Sequence, residues 1–358
     1  MLEYTKIDIP TYSNEAPQNS VLVIYTGGTF GMAYGPKGDL QPFDFGDTFE
    51  QFPALKNINL KLSVVSFSEP IDSSNIGILH WNNMTAIIQE YYDMYDGFVI
   101  LHGTDTMAYS ASALSFSLVG LNKPVIFTGA QLPIGAVRTD AWENLVTSLQ
   151  IASAKRARKP IVSEVCIYFN SFLYRGNRSV KVESAHFDAF ASDNYPILAE
   201  AGITIDYNAA ALKPYQAGVD LKANQYKKCN LTILKFFPSL NKRVVESLFG
   251  TPGLQGVILE TFGSGNAPTK TWLIDAMCEA IDKDMVLLNV SQCTGGRVLQ
   301  GRYATSQHLQ EIGVIGGSDI TTEAALTKMM FLFSSYSNIS EIKSGLISPI
   351  SGEMSPVE

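Results

Sequence analysis

At 358 residues the chain is too long for one small core, and two domains are the natural expectation. Hydrophobic residues make up 46% and charged residues 17%, the balance of a globular protein and not of a disordered one. The net charge of −8 argues against nucleic acid as the main partner, because neutralising phosphates takes a clustered basic surface.

Residues 1–20 carry acids, prolines and polar side chains without an apolar core segment, so they read as an N-terminal extension and not as a secretory signal or membrane anchor. Nowhere is an apolar run long enough to span a bilayer. Four scattered cysteines and four histidines, without CxxC spacing, predict neither a disulfide framework nor a metal centre, and a cytoplasmic location fits.

From Val21 the pattern alternates. "VLVIYT" (21–26) is an apolar strand, and "LKLSVVSF" (60–67) is a second. "HWNNMTAIIQEYYDMY" (80–95) has helical spacing, "GFVILHG" (97–103) returns to a strand, and "SASALSFSLVGL" (110–121) to a helix. "PVIFTGA" (124–130) is the next strand; an amphipathic helix opened by Asp140 follows, and then the strand "VSEVCIYFN" (162–170). The basic run "AKRARKP" reads as that helix's C-terminus, its cations offsetting the helix dipole. This α/β alternation predicts a mostly parallel sheet over 21–205, covered on both faces, with ligands at the rim formed by the strand C-termini. The rhythm lapses over 206–228, read as a linker, and resumes over 229–358 as a smaller α/β domain.

Three strand ends run into small, hydroxylated or acidic residues. "IYTGGTFG" sets Thr26 and Thr29 around two glycines; "EPIDSSNI" carries Asp72 and Ser73; "HGTDTMAY" carries Thr104 and Asp105 at the start of a helix. The glycine spacing of "TGGTFG" fits neither a dinucleotide fingerprint nor a phosphate loop. It remains a turn, or a loop presenting a reactive hydroxyl. A threonine hydroxyl is a poor nucleophile without a base or proton path, and Lys181 could supply one if held beside Asp105. Taken alone, Lys181 reads as a surface lysine, Asp72 and Ser73 as a capped turn, and His102 as a packed, hydrogen-bonded histidine. Tyr25, Tyr34 and Glu260 are polar neighbours of the same standing.

Together, "YTGGTFGM", "DSSN", "VILHGTDTMAYSASALSFSL", "LYRGNRSVKVESAHFDAF", "GSGNAP" and "SQCTGGRV" occur in an order that resembles the bacterial-type L-asparaginases, most closely the cytoplasmic type I branch. The resemblance implies a larger N-terminal α/β domain linked to a smaller one, assembled as a homodimer or a dimer of dimers. It implies hydrolysis of L-asparagine to L-aspartate and ammonia without metal or cofactor, through a β-aspartyl ester on Thr29. Thr104, Asp105 and Lys181 match the second catalytic group, Ser73 a substrate-binding position, and Asn266 a residue that reaches a neighbouring subunit's site. Two departures stand out. The tyrosine that family members carry after "GGT" is missing from its place near Asp39 and Leu40, with Tyr34 a few residues early. Cys293 matches a cysteine of the regulatory asparagine pocket found in some type I members, but Val180 and Glu260 replace its threonine and arginine, which predicts unregulated kinetics. An ammonia-supplying amidotransferase subunit and a non-catalytic amino-acid sensor are the competing functions.

Overall fold

The computed structural model describes residues 2–9, 17–34, 40–42, 55, 58–301 and 304–356, the side chains of 32–34, 40–42, 304 and 305 excepted. Two compact units divide the chain: Met1–Ser192 with Pro196–Gln225, and Asp193–Tyr195 with Tyr226–Glu358.

The larger unit contains β1 (Tyr4–Ile9), β2 (Ser20–Gly27), β3 (Lys61–Ile71), β4 (Gly97–Leu101), β5 (Val125–Thr128), β6 (Val165–Phe169) and β7 (Phe172–Arg175). After these come β8 (Val180–Lys181), β9 (Phe190–Ala191), β10 (Ala199–Ala201) and β11 (Ile205–Tyr207). All but β8 and β9, which pair with each other, join one sheet in the order β1-β3-β2-β4-β5-β6-β7-β10-β11. Strands β3, β2, β4, β5 and β6 run parallel, while β1 and the β7-β10-β11 flank are antiparallel. Val21, Leu22, Val23 and Ile24 are fully buried, as are Phe98, Val99, Ile100 and Leu101, which is why these strands read as unbroken apolar runs.

The chain leaves β2, steps to β3 on one side, and then crosses to β4 on the other. That reversal opens a crevice at the C-terminal ends of β2 and β4, where open α/β sheets bind ligands. Helices α1 (Ile78–Tyr91), α2 (Met107–Ser117) and α3 (Ala141–Ser153) connect the strands. Of the eleven residues of α2 only Tyr109 escapes full burial, so its hydrophobic pattern carries no clear polar face.

One local expectation changes, and another is met with a difference of detail. The basic run after α3 is not a helix end: Lys155–Arg156 pairs with Lys159–Pro160 in a hairpin whose turn residues Ala157 and Arg158 have φ of 51° and 64°. Lys155 bonds Asp96 at 2.8 Å instead of facing a helix dipole. Asp140 does precede α3, but its carboxylate makes no cap there; it accepts the amides of Gln131 and Leu132. Within the N-terminal twenty residues β1 pairs with β3, and within 206–228 Lys222–Ala223 pairs with Leu118–Val119.

The smaller unit has a parallel sheet of β12 (Leu231–Lys235), β13 (Gly256–Thr261), β14 (Val286–Ser291) and β15 (Ile315–Gly316), in that order. Helices α4 (Lys242–Phe249), α5 (Thr271–Asp282), α6 (Ala304–Glu311), α7 (Thr322–Ser335) and α8 (Ile339–Ile347) accompany it. Phe236, Val257, Leu259, Leu273, Met277 and Leu287 form the core between the sheet and its helices.

Candidate active site

Three loops close on one another at the switch point. Strand β2 ends in Gly27 and Gly28, both at positive φ (127° and 87°), before one helical turn at Thr29–Gly31. A Cβ on Gly27 would stand 2.3 Å from the carbonyl oxygen of Ile71, at the end of β3. One on Gly28 would stand 2.6 Å from the Cα of Gly103, after β4. One on Gly103 would meet Ser73 Oγ at 2.5 Å. The glycines therefore serve both readings of the loop: they turn the chain, and they let three backbones touch so that Thr29, Ser73 and Thr104 share one rim.

Each side chain has a local cause. Asp72 caps the turn Ser73–Asn75, its carboxylate accepting the Ser74 amide at 2.9 Å, which holds Asp72 below the usual carboxylate range. Ser73 is buried, and its carbonyl accepts the Thr106 hydroxyl at 2.7 Å, tying this loop to the next. Thr104–Thr106 form a single turn leading into α2, so Thr104 and Asp105 sit at the positive end of a buried helix. Thr29 makes no side-chain hydrogen bond with any described residue. Thr26, the other hydroxyl of the first loop, is buried and donates to Leu101 O at 3.0 Å, pinning β2 to β4.

Lys181 arrives from 76 residues away. After β7 the chain makes the turn Gly176–Arg178, which packs so tightly on α2 that a Cβ on Gly176 would meet Ala111 Cβ at 2.9 Å. Asn177 donates to Ser115 Oγ on the same helix at 3.0 Å. Thus the helix that Thr104 and Asp105 lead into also seats the segment carrying Lys181. Its Nζ donates to Asp105 Oδ1 at 2.6 Å and to Thr104 Oγ1 at 2.8 Å. The lysine side chain is 17% exposed and the aspartate 66%, so solvent screens the pair and its value lies in geometry more than in stability.

Gln131, in the loop after β5, completes the group and is absent from the sequence expectations. Its Oε1 accepts the Thr104 hydroxyl at 3.3 Å, and its Nε2 donates to His186 O at 2.9 Å. The signal for it was present: "TGAQLP" is a fourth strand end running into small and polar residues. His102 is structural. Fully buried, its Nδ1 faces Gly103 O at 2.7 Å and its Nε2 faces Ser110 Oγ at 2.9 Å, and burial lowers its pKa to about 4. The Tyr25 hydroxyl donates to Gly31 O at 3.4 Å, supporting the turn that holds Thr29.

Asn266 and Glu260 belong to the smaller unit. Asn266 follows β13 in a turn closed by mutual backbone bonds with Phe262, and Glu260 accepts the Thr322 hydroxyl at 2.7 Å. The loop-tyrosine question falls on Asp39 and on the side chains of Tyr34 and Leu40, which lie outside the described residues. Among the described residues no three His, Cys, Asp or Glu side chains gather to hold a metal ion, and no helix is long and apolar enough to cross a membrane.

The hydroxyl-bearing loop at the switch point stands against the loop that leads into the Thr104–Asp105–Lys181 cluster. The family model "Asparaginase, N-terminal" matches residues 20–213, and "Glutaminase/Asparaginase C-terminal domain" matches 230–345. The chain belongs to the asparaginase family, in its bacterial type I branch. It is 38% identical to L-asparaginase 1 of Escherichia coli over 95% of this chain and 99% of that one. The solved structure of L-asparaginase I from Vibrio cholerae superposes with a TM-score of 0.86 at 35% identity, covering 94% of this chain and 99% of the other. The human 60 kDa lysophospholipase is 34% identical over 95% of this chain and 62% of its own length.

Proposed function

We propose that the protein hydrolyses L-asparagine to L-aspartate and ammonia with Thr29 as nucleophile. The observation that carries this is the pair of bonds from Lys181 to Thr104 and Asp105, on the rim that Gly28 and Gly103 share with Thr29. Binding alone does not require an ammonium coupled to both a hydroxyl and a carboxylate, whereas a two-step acyl transfer needs a held proton path.

Thr29 Oγ attacks the side-chain amide carbon, its proton leaves with the nitrogen as ammonia, and a β-aspartyl ester remains. Water then adds to the ester and releases aspartate. Asp105 takes the substrate's α-ammonium, and Ser73, set by the Asp72 cap, takes the α-carboxylate. Amides at the start of α2 face the developing oxyanion, each such donor typically contributing about 3 kcal/mol. Thr104 and Lys181 carry the proton of the attacking water, which ends on Thr29 Oγ as the ester C–O bond breaks. Asn266 contributes to the site of a neighbouring copy in a homodimer or a dimer of dimers. Glutamine, with one more methylene, is a slower substrate by roughly 10–200-fold. The reaction uses no metal or cofactor, and the location is cytoplasmic.

Ammonia release from L-asparagine and L-glutamine, with Thr29→Ala as control, tests this. Turnover of asparagine that disappears in the variant supports it; no turnover of either amide refutes it. Hydrolysis of lysophosphatidylcholine in place of either amide moves the assignment to an acyl-ester hydrolase, the activity named for the human relative. Glu260, already occupied by Thr322, repels a second substrate carboxylate, so the asparagine curve is hyperbolic.

A further inference from the structure

Resting on the acyl-transfer mechanism above, we propose that Gln131 is a positioning residue that sets the proton of Thr104. The direction of the hydrogen bonds is fixed from the far end. His186 O can only accept, so the Gln131 amide must turn its NH2 toward it, which leaves Oε1 facing Thr104. Lys181 can only donate while charged, so Thr104 Oγ1 accepts from it and must send its own proton elsewhere. Gln131 Oε1 is the acceptor within reach. The chain therefore runs one way: Lys181 donates to Asp105 and to Thr104, Thr104 donates to Gln131, and Gln131 donates to the backbone.

This ordering has a consequence for the hydroxyl. A threonine oxygen offers one proton and two lone pairs. With the proton turned to Gln131 and one lone pair turned to Lys181, the second lone pair remains to accept a hydrogen bond from an incoming water. Without Gln131 the rotor loses its fixed setting, and Thr104 presents its proton to the water for part of the time. Gln131 is itself held rigidly, because Asp140 accepts its backbone amide at 3.0 Å along with that of Leu132. The side chain of Gln131 bonds Thr104 and the backbone of His186, and it acts on the reaction through Thr104.

The test compares Gln131→Met, which removes both side-chain bonds, with Gln131→Glu, which keeps an acceptor for Thr104 but has nothing to donate to His186 O. Steady-state ammonia release from L-asparagine should show kcat reduced about tenfold in Gln131→Met with KM within twofold, the loss of one well-oriented hydrogen bond. Gln131→Glu should recover kcat to within threefold of the natural enzyme. Equal losses in both variants would assign Gln131 to tethering the His186 loop and overturn the proposal, as would unchanged kcat in Gln131→Met or a rise confined to KM. Thr104→Ala separates this from the mechanism beneath it. If Thr104→Ala retains full turnover, the catalytic reading of Thr104 fails; if it is inactive while Gln131→Met is unimpaired, only the role of Gln131 fails.

Discussion

Gly28 and Gly103 meet backbone to backbone, with room for no side chain between them: a Cβ on Gly28 would lie 2.6 Å from Gly103 Cα and 2.6 Å from Gly103 N. The φ of Gly28, 87°, adds strain for any other residue. Gly28→Ala must move the Thr29 turn away from the Thr104 turn, and displacements of about 1 Å at a reacting centre cost on the order of 100-fold. The expected result is a loss of at least that size in kcat/KM. Strain and overpacking together cost roughly 2–5 kcal/mol. Ammonia release and thermal unfolding of the same preparation check both parts.

Lys181→Met removes the ammonium that joins Thr104 to Asp105. Groups that move protons in a transition state typically contribute 10²–10⁴-fold, so kcat should fall by about that range. Because Asp105 is largely exposed, losing its partner should change stability by no more than about 1 kcal/mol. Lys181→Arg should not restore the rate, since a guanidinium stays protonated and is too broad for the 2.6 Å and 2.8 Å bonds. Unimpaired turnover in Lys181→Met would remove it from the mechanism.

Much of this arrangement was legible in the sequence because strand ends announce themselves. Buried parallel strands such as Val21–Thr26 and Gly97–Leu101 are unbroken apolar runs, and the residues that follow them line the rim. What the sequence could not supply was the third dimension at Lys181. Nothing within ten residues of it predicts that the turn Gly176–Arg178 docks on α2 and brings it to Asp105. Gln131 was overlooked because an amide is not a titratable group, and only its two partners give it a role. The run "AKRARKP" misled for a simple reason: basic residues after a helix suit the dipole, yet Ala157 and Arg158 adopt the left-handed conformation of a hairpin turn. Asp140 does open α3, as its position announces, and its carboxylate is turned to the Gln131 loop instead of the helix amides.

His102 makes stability depend on pH in a defined window. Burial lowers its pKa from 6.5 to about 4 in the folded protein. Between those values the unfolded chain binds a proton that the folded chain refuses, so stability is lost as pH falls through the window. For a residue 1% exposed the full loss is ~3 kcal/mol. Urea unfolding at pH 7, 5.5 and 4 should show this decline, and His102→Gln should flatten it. A decline of equal steepness in the variant would place its origin in other groups.

The smaller unit contains a fully buried ion pair, Lys328 to Glu353 at 2.7 Å, both side chains 0% exposed. Lys328 also donates to Ser348 O at 2.7 Å and Leu346 O at 3.2 Å, and Glu353 accepts the amides of Ile350 and Ser351. The pair thus ties residues 346–354 to α7, with Met354 packed beside it. Glu353→Ala leaves an ammonium in the interior with no counter-charge beside it and takes away the carboxylate that two amides donate to, a loss of about 3–5 kcal/mol. Each kcal/mol lowers the melting temperature by roughly 2–4 °C in a domain of this size class, so a drop on the order of 10 °C is expected. Combining Lys328→Met with Glu353→Gln removes both charges while keeping an acceptor for the two amides, and it should recover most of the loss. If the double variant melts as low as Glu353→Ala, the uncompensated charge is not the source of the instability, and the lost packing of 346–354 is.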